Sequence, residues 1–422
     1  MLSIKIIDQN RSFDVLKLWT SRILFYFILF LLTLGLSHYI LMQLGPSSYS
    51  MASARYMISA LIQSEAAIMA IIVTLSLVAV ELAASSYSVR MIDLLKVYNP
   101  DFWILIMIYI LSMIYSIFVL MSISDKSSSK IELMISFAYH TGVYSFLILF
   151  PYLFRTLQML KPSTLLNMQA MKISTPNIMK AISSDVHTAH EKDPIQPIID
   201  IVSSALLNHD FETIRNGLNI IGMRSKEIFL YKEIDETEMK MISYYIFSRL
   251  ARFAKFTLNH NDEDATFIVI KNLEVLWDEL KNKDPRESVL QASSSLEEIG
   301  KVSADMSEIN VLSAVINHLY DIGQWSLDYN YDGETSRIID SLSSVCLSCI
   351  EKRMDPWIIE NIIISCIGKL GVKASYSGKF LSIQQTIESM NDLNLSMEIG
   401  ESSQYQHLCG KTEKIIEYIS KD

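Results

Sequence analysis

The hydrophobic pattern of the first 160 residues predicts membrane-spanning helices. Three stretches contain no charged side chain, at 23–54, 102–124 and 133–154. Each holds enough apolar chain to cross roughly 30 Å of hydrocarbon at about 1.5 Å per residue in a helix. A fourth helix candidate, at 57–83, is equally long but carries many small and weakly polar side chains. The predicted spans are therefore 22–43, 57–83, 102–124 and 134–158.

After the last span, the apolar residues follow the period of amphipathic helices. The first such stripe consists of Ile195, Ile198, Ile199, Val202 and Leu206. A polar turn followed by a similar stripe recurs after 208–210, 259–264 and 330–332, with a poorer copy after 376–378. The predicted fold class is all-α: a four-helix transmembrane domain (1–160), a partly helical linker (161–197) and a cytoplasmic, solenoid-like domain of stacked helical hairpins (198–422). An ordinary helical bundle is the alternative for the last part.

Composition and charge narrow the class of protein. Half of the residues are hydrophobic and the mean hydropathy is +0.27, which is too apolar for a purely soluble chain of 422 residues. The first 159 residues carry 10 basic and 8 acidic side chains, so the net charge of −10 comes from the C-terminal part. Such an acidic domain attracts cations and is a poor binder of nucleic acid. All four cysteines lie in it, as expected for a reducing compartment.

Basic residues next to the spans predict the orientation of the chain. Four of them precede the first span, at positions 5, 11, 17 and 22, whereas Arg55 is alone in the first loop. By the positive-inside rule, both termini lie in the cytoplasm. We therefore expect a multi-pass protein of the cell inner membrane, with the lipid bilayer as its first partner.

The second span carries the strongest functional signal. Small or polar residues recur along one face of the helix at heptad-related positions, which suits a face that contacts water or another helix. Glu81 lies on that face near the cytoplasmic mouth, whereas Glu65 is near the opposite face. The predicted pore-lining residues are Ala67, Ala70, Thr74, Val78, Glu81, Ser85 and Ser88. The alternative is that small side chains here only permit tight packing.

The end of this helix resembles a known family. The run Val78-Ala79-Val80-Glu81-Leu82-Ala83-Ala84-Ser85-Ser86-Tyr87-Ser88-Val89-Arg90 is similar to the stretch that marks DUF2254, an uncharacterised family of predicted prokaryotic membrane proteins. In this chain Glu81 stands where the family pattern has Gln, and Val89 where it has Pro. The resemblance covers roughly residues 55–95. It implies a prokaryotic membrane protein with four spans and a soluble tail, and it implies no activity.

One soluble motif suggests a metal. Residues 328–334 read D-Y-N-Y-D-G-E, the opening of a helix–loop–helix calcium site, so Asp328, Asn330, Asp332 and Glu334 are candidate Ca²⁺ ligands. The twelfth position of such a loop, normally Glu, is Ile339. A capped turn between two helices is the alternative interpretation. The pair Cys346 and Cys349 is predicted to be structural because apolar residues surround it.

These features favour a pore over an enzyme. The chain contains no phosphate-binding loop, no dinucleotide fingerprint, no serine-hydrolase elbow and no zinc-protease motif. We expect a homo-oligomeric, cation-preferring ion channel or channel-like pore, lined by the second span and gated by the cytoplasmic domain. Its partners would be further copies of the chain, permeant cations and a cytoplasmic protein. The alternative is a membrane-anchored interaction or signalling scaffold that does not conduct, and a transporter ranks third because no inverted repeat is visible.

Overall fold

The structure is a computed structural model in which every regular element of the described residues is a helix. The all-α prediction is therefore confirmed. The chain divides into two compact units, Met1–Leu165 and Leu166–Asp422. The structure describes residues 19–36, 39, 50–86, 100–123, 129–159, 161–184, 193–230, 234–399 and 406–421.

In the described part of the first unit, four helices are long and apolar enough to cross a membrane. Two of them start several residues before the predicted spans, because hydropathy locates the apolar centre of a helix and not the end of its backbone hydrogen bonding. The part of the first predicted span beyond residue 36 lies outside the described residues, except Tyr39. The helices are α1 (Trp19–Leu36), α2 (Met51–Ser86), α3 (Pro100–Ser122) and α4 (Ser129–Met159).

Two groups of buried side chains fill the interior of this four-helix unit, one toward each end. The first, here called the aromatic cluster, lies toward the start of α1 and consists of Tyr26, Ile72, Leu105, Tyr109, Tyr144, Ile148 and Tyr152. The second, here called the aliphatic cluster, lies toward the start of α2 and consists of Ala54, Ile58, Val119, Ile123, Ile135 and Ala138.

A buried ion pair joins three helices at the end where α1 begins. Asp101, which is only 1% exposed, forms an ion pair with Arg155 Nε at 2.9 Å and lies 4.0 Å from Arg22 Nε. Tyr26 Oη donates a hydrogen bond to the same carboxylate at 3.1 Å. Since these groups come from α1, α3 and α4, the pair fixes the helix ends to one another and satisfies the buried charge.

The second unit is a succession of helices. They are α5 (Pro162–Ala170), α6 (Thr175–Ile182), α7 (Gln196–Leu207), α8 (Phe211–Leu230), α9 (Glu236–Asn259), α10 (Glu263–Leu280), α11 (Pro285–Met306), α12 (Ile309–Asp328), α13 (Asp332–Glu351), α14 (Pro356–Ile358), α15 (Ser365–Tyr376), α16 (Phe380–Ile399) and α17 (Gln406–Lys421). A π-helical turn, Ile359–Ile364, joins α14 to α15. The segment predicted as linker thus contains α5 and α6.

Successive helices of this unit stack in two layers. From α9 to α13, consecutive helices are in contact. Further contacts join α6, α9, α11, α13 and α16 into one layer, and α8, α10, α12, α15 and α17 into the other. Gly300 shows how close the helices are, because an added Cβ would meet a Val345 methyl at 2.9 Å. The predicted stacked, solenoid-like arrangement is confirmed.

A repeated helix ending underlies this stack. At six turns of the described residues, a residue one or two positions after the helix end has a left-handed backbone, with φ between 54° and 66°. The next amide in each turn donates to a carbonyl five residues earlier at 2.8–3.0 Å, which is the Schellman arrangement. The left-handed residues are His209, Asn261, Ser307, Asn330, Arg353 and Gly378.

The start of α7 is held by one buried carboxylate. Asp193 accepts hydrogen bonds from the amides of Ile195 at 2.9 Å and Gln196 at 3.2 Å, and thereby caps the helix. Arg249 Nη2 of α9 lies 2.5 Å from the carboxylate, and Tyr245 Oη donates to it. Burial, followed by the charge of Asp193, raises the pKa of Tyr245.

Candidate functional site

Most of helix α2 faces away from its own protomer. Only 11% of its span is buried inside the structure, compared with 39% for α4. The side chains of five predicted pore-lining residues are all exposed, and they lie on this outward face: Ala67, Ala70, Thr74, Val78 and Glu81. Ser85 belongs to the described helix without a described side chain, and Ser88 lies outside the described residues.

The outward face contains one polar residue that the heptad spacing missed. Gln63 is exposed and lies eighteen residues before Glu81, which is five full turns of an α-helix, so the two side chains point in the same direction. Within the described part of the chain, neither Gln63 nor Glu81 has a hydrogen bond or ion pair. By contrast, the hydroxyl of Thr74 donates to its own helix at Ala70 O, at 2.9 Å.

The inward face of α2 presents a second polar group. Glu65 is 0% exposed, and its Oε1 accepts hydrogen bonds from Ser112 Oγ of α3 at 2.7 Å and Ser145 Oγ of α4 at 3.0 Å. Tyr109 Oη donates to the backbone carbonyl of Ser145 at 2.8 Å. The sequence placed Glu65 off the outward face correctly, but its partners, 47 and 80 residues away, were not predicted.

The predicted calcium loop is a helix-to-helix turn in the structure. Asn330 adopts the left-handed conformation at φ 66°, and Asp332 begins α13. The Asp332 carboxylate accepts from the amides of Leu381 at 3.0 Å and Ser382 at 2.9 Å, so it caps the start of α16. These bonds direct its oxygens toward α16.

The other two candidate ligands also bind elsewhere. Asp328 Oδ1 lies 2.7 Å from Lys373 Nζ, and Glu334 Oε1 lies 3.3 Å from Arg286 Nε. Among the described residues, no group of three His, Cys, Asp or Glu side chains is placed to hold a metal ion. Calcium binding stays a prediction, and the capped turn accounts for the observed contacts of these carboxylates.

The cysteines of the C-terminal unit form no reactive site among the described residues. Cys346, Cys349 and Cys366 are buried free thiols, and Cys409 is half-buried. Burial raises the pKa of Cys349 to about 12 and that of Cys366 to about 11. These thiols therefore stay protonated at neutral pH, as structural cysteines do.

Comparison with known proteins gives a family match over the residues that contain the four membrane-spanning helices. The model of DUF2254, described as a predicted membrane protein, matches residues 16–196. The resemblance to DUF2254 is confirmed. The DUF2254 match is much longer than the stretch 55–95 that carried the resemblance, and it ends at Gln196, where α7 begins.

The other comparisons add little. No curated protein matches the chain. Among solved structures, a protein described as "Circular tandem repeat protein with novel repeat topology and enhanced subunit contact surfaces" aligns with a TM-score of 0.37 and 12% identity. The alignment covers 88% of this chain and 97% of that chain. A likeness this weak supports no statement about function.

Proposed function

We propose that this membrane protein is a homo-oligomeric ion channel or channel-like pore in which α2 helices from several copies surround the axis. The observation that supports it best is the outward face of α2, where Gln63 and Glu81 are exposed and have no partner among the described residues. An amide without a partner is costly in hydrocarbon, and Gln63 lies within the span Met51–Val78, whereas Glu81 lies three residues beyond its end. Contact with water or with a neighbouring protomer removes that cost.

Among the described residues, buried side chains occupy the centre of the protomer. The aromatic cluster and the aliphatic cluster fill the interior of the four helices with side chains that are at most 5% exposed. A hydrated path therefore has to form between protomers, and the small residues Ala67 and Ala70 leave room for it. In the proposed orientation both termini are cytoplasmic, in the inner membrane, and the helical stack gates the path. No catalytic role is proposed.

A ring of Glu81 carboxylates would make the pore cation-preferring. Carboxylate rings concentrate cations at a pore mouth, and the negative charge of the C-terminal part acts in the same direction. The permeant ions would accordingly be small cations.

A non-conducting scaffold is the second candidate, and one observation favours it. The hydroxyls of Ser64 and Thr74 donate to Ala60 O and Ala70 O within their own helix, both at 2.9 Å. Hydroxyls satisfied in this way need no water, so they fit a dry helix–helix contact. In that case, the protomers still associate through α2, and the stack binds a cytoplasmic protein partner.

Cysteine cross-linking tests the assembly. In a Cys409→Ser background, whose three remaining thiols are buried, oxidation of Thr74→Cys should give covalent dimers in membranes. Met121→Cys is the matched control, because Met121 of α3 is 82% exposed and belongs to a different helix face. A monomer in mild detergent, together with no dimer at position 74, would remove both the pore and the α2 contact.

Conduction then separates the pore from the scaffold. Purified protein should conduct in planar bilayers, and a charged thiol reagent should block Thr74→Cys but not Met121→Cys. Glu81→Gln should shift the reversal potential in asymmetric salt toward that of a non-selective pore. An oligomer that does not conduct favours the scaffold, whereas an unchanged reversal potential removes Glu81 from the path.

A further inference from the structure

Glu65 lies at the middle of the membrane unit. It is fourteen residues after Met51 and thirteen before Val78, the ends of the α2 span. Ser112 and Ser145, which bond to it, are also near the centres of the spans Asp101–Ser122 and Ser129–Gln158. The three polar side chains thus come from three helices and meet at one depth, about 15 Å from either side of the hydrocarbon.

Apolar layers separate this group from both ends of the bundle. Ile58 of the aliphatic cluster lies seven residues before Glu65, and Ile72 of the aromatic cluster lies seven residues after it. Seven residues correspond to about 10 Å along a helix. The isoleucines are at most 1% exposed, so the carboxyl is shielded from water on both sides.

No cationic side chain compensates a charge at Glu65 among the described residues. On its own helix, Arg55 donates to Ile123 O at 2.8 Å, and Arg155 of α4 is paired with Asp101 at the end of the bundle. The other titratable groups nearby on the packed helices are phenols and an imidazole. They are Tyr109 of α3, whose Oη bonds Ser145 O, and His140 and Tyr144 of α4, which lie against Phe30 and Tyr26 of α1.

The Glu65 side chain accepts too few hydrogen bonds to stabilise an ionised carboxylate. Ser145 Oγ has one proton, and two acceptors lie within reach, Gly142 O at 2.7 Å and Glu65 Oε1 at 3.0 Å. Glu65 Oε2 is buried and has no partner in the described part of the chain. An ionised carboxylate with so few donors costs several kcal/mol in a dry interior, whereas a neutral carboxyl does not.

We propose that Glu65, Ser112 and Ser145 form a proton-binding site at the middle of the membrane unit, and that Glu65 holds a proton there. The ligand of the site is H⁺, bound as a neutral carboxyl that Ser112 orients by donating to Oε1. The site is complete within one protomer, so it does not depend on the proposed pore. Release of the proton requires water or another proton acceptor to reach Oε2.

A groove gives lipid-soluble molecules access to this region. It lies between α1, α3 and α4, has a volume of about 920 Å³, and is lined almost entirely by apolar side chains. Ser112 is part of its wall. A hydrophobic reagent dissolved in the bilayer can therefore reach Ser112, which bonds to Glu65, whereas ions in water meet the two apolar clusters.

Dicyclohexylcarbodiimide tests the proposal on the full-length protein in membranes. A protonated carboxyl adds across its C=N bond, so that the carboxyl proton moves to nitrogen and the oxygen bonds to carbon, and the adduct rearranges to a stable N-acylurea. Peptide mass mapping after labelling at neutral pH should find the adduct on Glu65 and not on exposed Glu81. Raising the pH should reduce the label.

Infrared spectroscopy provides an independent readout. The C=O stretching band of a protonated carboxyl should be present in the wild type and lost in Glu65→Gln. Glu81→Gln is the matched control on the same helix and should keep the band. If Glu65→Gln does not fold, the label map of the wild type decides.

Two results would overturn the assignment. An infrared band at neutral pH that is identical in wild type and in folded Glu65→Gln means that Glu65 is ionised. Protection of Glu65 from the carbodiimide by Na⁺ or K⁺ at constant pH and ionic strength means that the site binds a metal cation in place of a proton.

Discussion

The buried Asp193 carboxylate allows the stability of the helical stack to be tested quantitatively. Asp193→Ala removes the cap of α7, worth about 1 kcal/mol, and it also leaves Arg249 without its partner. Breaking a buried pair costs about 3–5 kcal/mol, and this figure must be reduced because Arg249 is 21% exposed. We expect a total loss of about 3 kcal/mol in the free energy of unfolding.

Asp193→Asn separates the two contributions. The amide oxygen can still accept from the amides of Ile195 and Gln196, whereas the charge facing Arg249 is lost. The loss should therefore be about 1 kcal/mol smaller than for Asp193→Ala. Adding Arg249→Met to Asp193→Asn should cost less than the sum of the single changes, because no unpaired charge remains.

The assay is chemical denaturation of the full chain in mild detergent, followed by the fluorescence of Trp277 and Trp325 in the stack. Glu236→Ala is the control, since its side chain is 75% exposed and its pairing with Lys240 is a surface contact. That control should change stability by less than about 0.5 kcal/mol. If Asp193→Ala changed stability as little as the control, the cap and the ion pair would have no energetic importance.

Three further predictions follow from the same unit. Because the pKa of Tyr245 is raised in the folded state, the free energy of unfolding should fall above pH ~10, where tyrosine ionises in the unfolded chain, by up to about 1.4 kcal/mol per pH unit. Tyr245→Phe should remove this pH dependence in alkaline denaturation, and identical profiles for the variant and the wild type would contradict the prediction. Asp332→Ala should lower the free energy of unfolding by about 1–2 kcal/mol, because the helix cap at Ser382 is lost, and the loss should be the same with and without millimolar Ca²⁺. If the loop bound calcium, Ca²⁺ would stabilise the wild type and not the variant. A thiol reagent should modify Cys409 first and the three buried thiols only on unfolding, as mass spectrometry of the labelled chain would measure.

The spans were predictable because an apolar stretch of this length without a charged residue is typical of a membrane-spanning helix and rare in soluble domains. The confirmed DUF2254 resemblance rested on one of these spans. The residues on the outward face of α2 were predicted less completely than the spans. Steps of seven residues drift by about 20° per step, so a heptad series beginning at Ala67 passes over Gln63, although five full turns align Gln63 with Glu81. The helical period, applied over the whole span, would have found it.

Contacts between distant helices could not be predicted in the same way. Ser112 and Ser145 are ordinary residues in apolar helices, and only the packing of α2 against α3 and α4 brings them to Glu65. The turns at Ser307 and Arg353 were missed for a related reason. They share the hydrogen bonding of the turn at Asn330 but not its residue type, so composition gives no signal.

The two carboxylates of α2 connect the two proposals through one helix. Glu65 faces the interior, Glu81 faces outward, and sixteen residues, or about 24 Å, separate them. If the proton site and the pore mouth are independent, Glu65→Gln and Glu81→Gln should have additive effects on conductance in planar bilayers, because sites this far apart without shared partners usually add. Non-additive effects would mean that the charge state of Glu65 changes how α2 presents its outward face. The helix is then the element that couples protonation to the assembly. Glu65→Gln, which removes the titratable carboxyl, should also change the yield of Thr74→Cys cross-links, whereas Glu81→Gln should change selectivity alone.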